Sequence, residues 1–258
     1  MDFGISTACM YPQVLEKSVE ELGKMGVQKI ELFFNTFSEL EPDYLKELIK
    51  IIAHYHLTVV SCHPFTSGLE PMMFFSEYKR RLKDILELYR HYFDAMNQLG
   101  ANVFVFHGDR KTSTISVAEY AQNFSALRDL GKSFGIIVTQ ENVERCKSGI
   151  LDFITDLRKE LNDDISFTLD LKQALRSGLE PMQVARAMGT CLAHIHLNDH
   201  DSFRDCMLPG FGCFPFEKLF AYLQEIHFCG TAMIEVYRKD YLELNELVQS
   251  INILKKLG

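Results

Sequence analysis

The stretch AHIHLNDHD, Ala193–Asp201, decides how the whole chain is read. Ala193, Ile195 and Leu197 alternate with His194, His196 and Asn198, the two-residue period of a strand with two unlike faces. On an open sheet the histidines would face water. On a strand whose second face is enclosed, they would be aimed into an interior that uses them.

The surrounding sequence favours enclosure. A unit of amphipathic helix, glycine, short apolar strand and polar loop recurs along the chain, with Gly26, Gly100, Gly135, Gly189 and Gly230 each just ahead of a strand candidate. Glycine past a helix end closes the last turn in the left-handed conformation. Ser116 with Glu119 has the capping-box spacing, and Pro42 and Pro181 suit first-turn positions. Core-facing stripes are Leu15, Val19 and Leu22; Leu45, Leu48, Ile49 and Ile52; Tyr120, Phe124 and Leu127; Leu151, Ile154 and Leu157. The strands expected are Phe3–Thr7, Lys29–Phe33, Thr58–His63, Asn102–His107, Ile136–Glu141, Ser166–Asp170, Ala193–Asn198 and Thr231–Tyr237. Eight strand–helix units over 258 residues predict an α/β fold, a (β/α)8 barrel forming one domain over residues 1–258. An open doubly wound sheet is the alternative, but no GxGxxG follows the first strand.

Composition narrows the function classes. The net charge of −8 argues against a nucleic-acid partner, whose phosphates call for a basic surface. No run of about eighteen apolar residues offers a membrane span. MDFGIST starts as a strand without a charged-then-apolar leader, and the seven cysteines lack CxxC spacing. Free, buried thiols in a reducing, cytoplasmic setting are the expectation.

In a barrel, the apolar face of each strand meets the helices and the other face fills the lumen. The inward residue near each carboxyl end is then Ser6, Glu31, His63, His107, Glu141, Asp170, His196 or Glu235. Such barrels place their chemistry at that mouth. Carboxylates crowded in a dry funnel repel one another at a cost of several kcal/mol each unless compensated. One divalent metal ion held by Glu141, Asp170, His196 and Glu235 would compensate them. This oxygen-rich shell suits Mn2+ or Mg2+, with Zn2+, Co2+ or Fe2+ also compatible.

TQENVE around Glu141, FTLDL around Asp170, HIHLND around His196, PGFG at Pro209–Gly212 and MIEV around Glu235 resemble the xylose isomerase-like TIM-barrel superfamily. That group includes ketose 3-epimerases, hydroxypyruvate isomerases, inosose dehydratases and apurinic-site endonucleases. The resemblance spans the chain and implies the same four metal ligands, with the two glutamates, Glu141 and Glu235, as acid and base on opposite faces of a sugar. His63 and His107 match histidines that bind further zinc in the endonucleases and contact substrate in the sugar enzymes.

The departures carry weight too. Gln173 and Lys147 stand where ketose 3-epimerases carry histidine and glutamate, and Ser202 replaces an arginine, with Arg204 close by. Asp205-Cys206-Met207 stands in place of the endonucleases' Asp-x-His, so their three-metal centre is incomplete.

The expectation is therefore an isomerase or epimerase of a small sugar or cyclitol, working through an enediolate. Glu31 either buttresses His63 or touches ligand. Lys172 meets a substrate phosphate or forms a salt bridge, and Arg204 sits in a mouth loop where it could orient a substrate oxygen. An inosose-dehydratase-like lyase and a non-catalytic sugar-binding barrel are the rival readings. The loop HPFTSGLEPMMFFSE, His63–Glu77, is a lid or apolar wall, or else packs on the next helix or on another subunit of a homo-oligomer. Phe33, Phe65 and Tyr237 are expected pocket walls.

Overall fold

The computed structural model describes residues 1–257. In chain order it contains β1 (Asp2–Ser6), α1 (Leu15–Lys24), β2 (Lys29–Phe34), α2 (Pro42–His54), β3 (Thr58–Pro64), α3 (Glu70–Met73), α4 (Arg80–Leu99) and β4 (Val103–Phe106). Then come α5 (Val117–Ser133), β5 (Ile137–Glu141), α6 (Leu151–Glu160), β6 (Ser166–Asp170), α7 (Leu171–Arg176), α8 (Pro181–Met188), β7 (Leu192–Leu197), α9 (Phe216–Glu225), β8 (Thr231–Ile234) and α10 (Asn245–Leu257). The strands are parallel and close in sequence order, β1 to β8, with β8 returning to β1. This is the single-domain (β/α)8 barrel that the alternation predicts.

Most of the helix stripes are buried as their spacing requires: Leu15, Val19 and Leu22 on α1, Leu45, Leu48 and Ile52 on α2, Tyr120, Phe124 and Leu127 on α5, Ile154 and Leu157 on α6, with Ile49 and Leu151 only half-buried against the core. Pro42 and Pro181 open α2 and α8, where a missing N–H costs nothing. Ser116 accepts from the Glu119 amide and caps α5. An aromatic cluster joins α4 to β4, where Tyr89, Tyr92 and Phe93 surround Phe104 with ring centroids 5.2–5.8 Å apart. Removing one such buried ring typically costs about 3–5 kcal/mol.

Gly26, Gly100, Gly135 and Gly189 have positive φ at the ends of their helices. Gly230 does not behave this way. The left-handed residue after α9 is His227 (φ 55°), and Gly230 is needed because a Cβ there would stand 2.1 Å from the Ala193 carbonyl.

β1, β4, β7 and β8 end earlier than the alternation suggests, β5 and β6 end where it places them, and β2 and β3 run one residue further, to Phe34 and Pro64. His107, Asn198 and Glu235 each follow the last residue of β4, β7 and β8. Their side chains still continue the inward alternation: His107 and Glu235 line a cavity at the mouth, and Asn198 Nδ2 donates to Asp170 Oδ1 at 3.3 Å. All seven cysteines are free, five of them buried. Among the described residues no helix is long and apolar enough to cross a membrane.

Candidate active site at the carboxyl end of the barrel

Glu141 closes β5, Asp170 closes β6, His196 lies opposite Asp170 in the β6–β7 register, and Glu235 is tied to β7 by its amide bonding the Leu197 carbonyl at 3.0 Å. Asp170 is braced twice. Its backbone is clamped by Asn142, whose Oδ1 accepts from its amide at 2.7 Å and whose Nδ2 donates to its carbonyl at 2.9 Å. Its carboxylate caps α7 by accepting from the Gln173 amide at 3.0 Å.

His196 decides what the cluster can hold. Its Nε2 lies 3.2 Å from Glu31 Oε2, an oxygen that also accepts from Ser61 Oγ at 2.7 Å and lies 3.0 Å from His194 Nε2. A carboxylate only accepts, so the Glu31 contact calls for the proton on His196 Nε2. That leaves His196 Nδ1 facing Glu235 Oε2 at 2.6 Å, Glu141 Oε1 at 3.3 Å and Asp170 Oδ2 at 3.7 Å. A ring lone pair and three carboxylates do not share such a space without positive charge between them.

Without a metal, a proton supplies that charge. Burial opposes a charged His196 ring, but Glu235 and Glu31 outweigh it and hold the ring well above the ordinary histidine range. Burial likewise opposes the Glu235 anion, and His196 with Lys172 brings that carboxyl down to about 2. Glu141 is held well below the usual carboxylate range, against burial, by His107 and His196.

The same geometry fits a divalent cation. Ligand atoms of Glu141, Asp170, His196 and Glu235 all lie within 4.8 Å of one another, and Glu141 Oε2 has no hydrogen-bond partner. Three carboxylates and one imidazole are hard and borderline donors suited to Mn2+, Mg2+ or Zn2+. An arriving ion would displace the His196 proton, as metal binding to imidazole generally does.

A cavity of 480 Å3 opens beside this cluster, lined by His63, His107, Lys172 and Glu235 and walled by Tyr11, Phe33, Phe65 and Tyr237. Burial and the neighbouring His107 push His63 down to about 4, keeping it neutral. Lys172 is 3% exposed, and its Nζ bridges Asp170 Oδ2 and Glu235 Oε2, the latter at 3.3 Å. Burial disfavours the ammonium, yet Asp170 and Glu235 hold its pKa well above the ordinary lysine value. A hollow of 560 Å3 at the amino end, between Lys29, Thr58 and Thr231, gathers no carboxylate.

The remaining expected residues lie elsewhere. Glu31 is fully buried under the cluster, held by His194, His196 and Ser61; it is not bonded to His63 and does not line the cavity. Ser6 caps the turn after β1. Arg204 pairs with Asp201 on the rim, its side chain 63% exposed, away from the cavity. Gln173, at the family's histidine position, accepts from the Glu144 amide.

Other polar residues escaped the strand-by-strand count. Glu70, on α3, accepts from the His107 amide at 3.0 Å, the Gly108 amide at 2.6 Å and the Tyr89 hydroxyl at 3.1 Å. It ties the loop after β3 to the end of β4, and burial pushes its carboxyl up to about 7. Phe74 and Phe75 of that loop pack on Phe106, so it is partly packing and, through Phe65, partly wall.

Asp199 explains the PGFG motif. Its carboxylate accepts from the amides of His200, Gly210, Gly212 and Phe214, and a Cβ on Gly212 would sit 2.4 Å from Asp199 Oδ1.

Known proteins bear on this geometry. The family model for the xylose isomerase-like TIM barrel matches residues 19–257. The chain belongs to the xylose isomerase-like TIM barrel family. An uncharacterized protein of Methanocaldococcus jannaschii is 26% identical over 270 residues, covering 99% of this chain and 89% of its own.

Among solved structures, a D-tagatose 3-epimerase-like protein superposes with a TM-score of 0.78 at 22% identity, over 100% of this chain and 97% of its own. D-psicose 3-epimerase from Clostridium cellulolyticum H10, determined with D-tagatose, gives 0.77 at 15%, over 100% and 99%. A structure described as a probable 3-DHS dehydratase of Bacillus anthracis gives 0.74 at 15%, over 100% and 98%. The fold is thus one shared by sugar epimerases and a dehydratase.

Proposed function

We propose that this protein is a divalent-metal-dependent isomerase or epimerase of a small sugar, moving a proton next to a carbonyl. The observation that carries the reading is the meeting of His196 Nδ1 with three carboxylates beside a sugar-sized cavity. Glu141, Asp170, His196 and Glu235 would hold the ion. When bound, it supplies Lewis-acid stabilisation of negative charge on a substrate oxygen, an effect worth several kcal/mol.

The protein's own groups do the rest. Glu141 and Glu235 come from strands on opposite sides of His196, so one removes the proton next to the carbonyl and the other returns it on the other face. Each positioned carboxylate contributes roughly 10²–10⁴-fold. Asp170 mainly fixes the ion. His63 and His107 bind substrate oxygens, and the Lys172 ammonium offsets the enediolate's charge from beside Glu235. The aromatic walls seat the apolar faces of the sugar and keep bulk water out.

The test is incubation with ketoses, hydroxypyruvate and inososes in D2O with Mn2+. Solvent deuterium next to a carbonyl, with mass otherwise conserved and the exchange absent in Glu235→Gln, supports this reading. A product lighter than its substrate by one water would assign a dehydratase. A ligand bound without exchange would make the barrel a sugar-binding protein.

A further inference from the structure

We infer that the substrate of this cavity carries an anionic group, a carboxylate or a phosphate ester, and that Arg238 receives it at the rim. This names a substrate class for the sugar-enzyme reading above and rests on it.

The chain as a whole is acidic, with a net charge of −8, yet the cavity is not. Lys172 and Arg238 line it as cations against one carboxylate, Glu235, which the proposed ion would occupy. Around Tyr237 the imbalance widens. Its ring centroid lies 6.0 Å from Lys172 Nζ, 5.4 Å from Arg176 Cζ and 5.7 Å from Lys239 Nζ. Lys172 is paired with Asp170 and Glu235, and Arg176 with Asp205, but Arg238 and Lys239 have no ion-pair partner among the described residues.

The turn after β8 leaves Arg238 unneutralised and still holds it in place. Asp240, the acid closest to it in sequence, gives its Oδ2 to the Tyr237 amide at 3.0 Å. The Arg238 guanidinium lies over the Tyr241 ring, 4.7 Å from its centroid, and donates to the carbonyls of Tyr241 at 3.0 Å and Leu242 at 3.4 Å. Those bonds take two of the five guanidinium donors and leave three. A guanidinium fixed in this way loses little freedom when a ligand arrives, and its planar fork matches the oxygens of a carboxylate or phosphate. Tyr237 adds a neutral donor. Its oxygen accepts from Arg176 at 2.7 Å, so its own O–H is free to donate.

Position also limits the ligand. The Cα atoms of Glu235 and Arg238, three residues apart, are separated by at most about 10 Å. The charge therefore belongs near the far end of a short sugar chain whose carbonyl reacts beside Glu235.

The test compares D-fructose with D-fructuronate and D-fructose 6-phosphate, which keep the carbon chain and change only its last group. Calorimetry on the Mn2+-loaded protein measures the affinities. At least one anion should bind about tenfold or more tighter than the neutral ketose, with KCl eroding this ratio and Arg238→Gln bringing it to about one. Which anion gains more then assigns a carboxylate or a phosphate. A merely structural role for Arg238 weakens all three ligands alike and keeps the ratio, a result that would overturn the inference. Equal affinities in the native protein, a ratio indifferent to salt, or no binding of either anion would overturn it as well. If the anions bind through Arg238 but no more tightly with Mn2+ than without it, the metal reading fails alone and this assignment stands.

Discussion

Glu31 Oε2 lies 3.2 Å from His196 Nε2, on the far side of the ring from the three carboxylates that His196 Nδ1 confronts. A buried acid on β2 thus selects which nitrogen of a β7 histidine faces the mouth. Carboxylate partners of this kind orient imidazole ligands and raise their basicity, and losing one typically costs 10–100-fold in metal affinity. Glu31→Gln should weaken Mn2+ binding by about that factor while the far-ultraviolet circular dichroism is unchanged. Calorimetric titration checks it, and an unaltered affinity would show that Glu31 only fills the lumen.

Lys172 stands in for positive charge between Asp170 and Glu235, both otherwise uncompensated on that side. Removing one partner of a buried ion pair costs about 3–5 kcal/mol because it strands the other. Lys172→Met should therefore lose stability in metal-free buffer, and Mn2+ should raise its melting temperature more than it raises the native protein's. Differential scanning calorimetry with and without Mn2+ reads both. Equal metal-induced shifts in the two proteins would count against the arrangement.

Glu70 gives stability a particular pH dependence. Burial raises its carboxyl from 4.5 to about 7 in the folded chain. Between those values the folded protein binds more protons than the unfolded one. Its contribution is therefore full below pH 4.5 and declines as pH rises through 7, by about 3 kcal/mol in total. Glu70→Gln removes that slope, so its stability relative to the native protein should be more favourable at pH 8 than at pH 5. Urea midpoints at the two pH values measure the difference; an identical difference at both would refute the assignment.

The barrel and most of the mouth are legible because both depend on local periodicity. Alternation places Glu141, Asp170 and His196 on the inner face of their strands, and Glu235 keeps that facing one residue past β8. What spacing does not encode is how far a side chain reaches once neighbours are assembled. Glu31 reads as an equal of His63, but its carboxylate drops beneath His196 and out of the cavity. Arg204 and Arg145 both lie in loops, outside every helix and strand. Asp201, three residues away, captures Arg204, whereas Arg145 reaches across to the end of β4. Glu70 is hidden in an apolar loop, and its burial follows only from that loop folding back over Tyr89 and Gly108. Gly230 looks like the helix-ending glycines, but its role comes from the Ala193 carbonyl on the neighbouring strand.

The account stands on a divalent cation held jointly by Glu141, Asp170, His196 and Glu235. Anomalous diffraction from a crystal grown with Mn2+ tests this most directly. The predicted map has a single strong peak within bonding distance of His196 Nδ1 and one oxygen of each carboxylate. A map with no peak there, and with Lys172 still bridging Asp170 and Glu235, would contradict it.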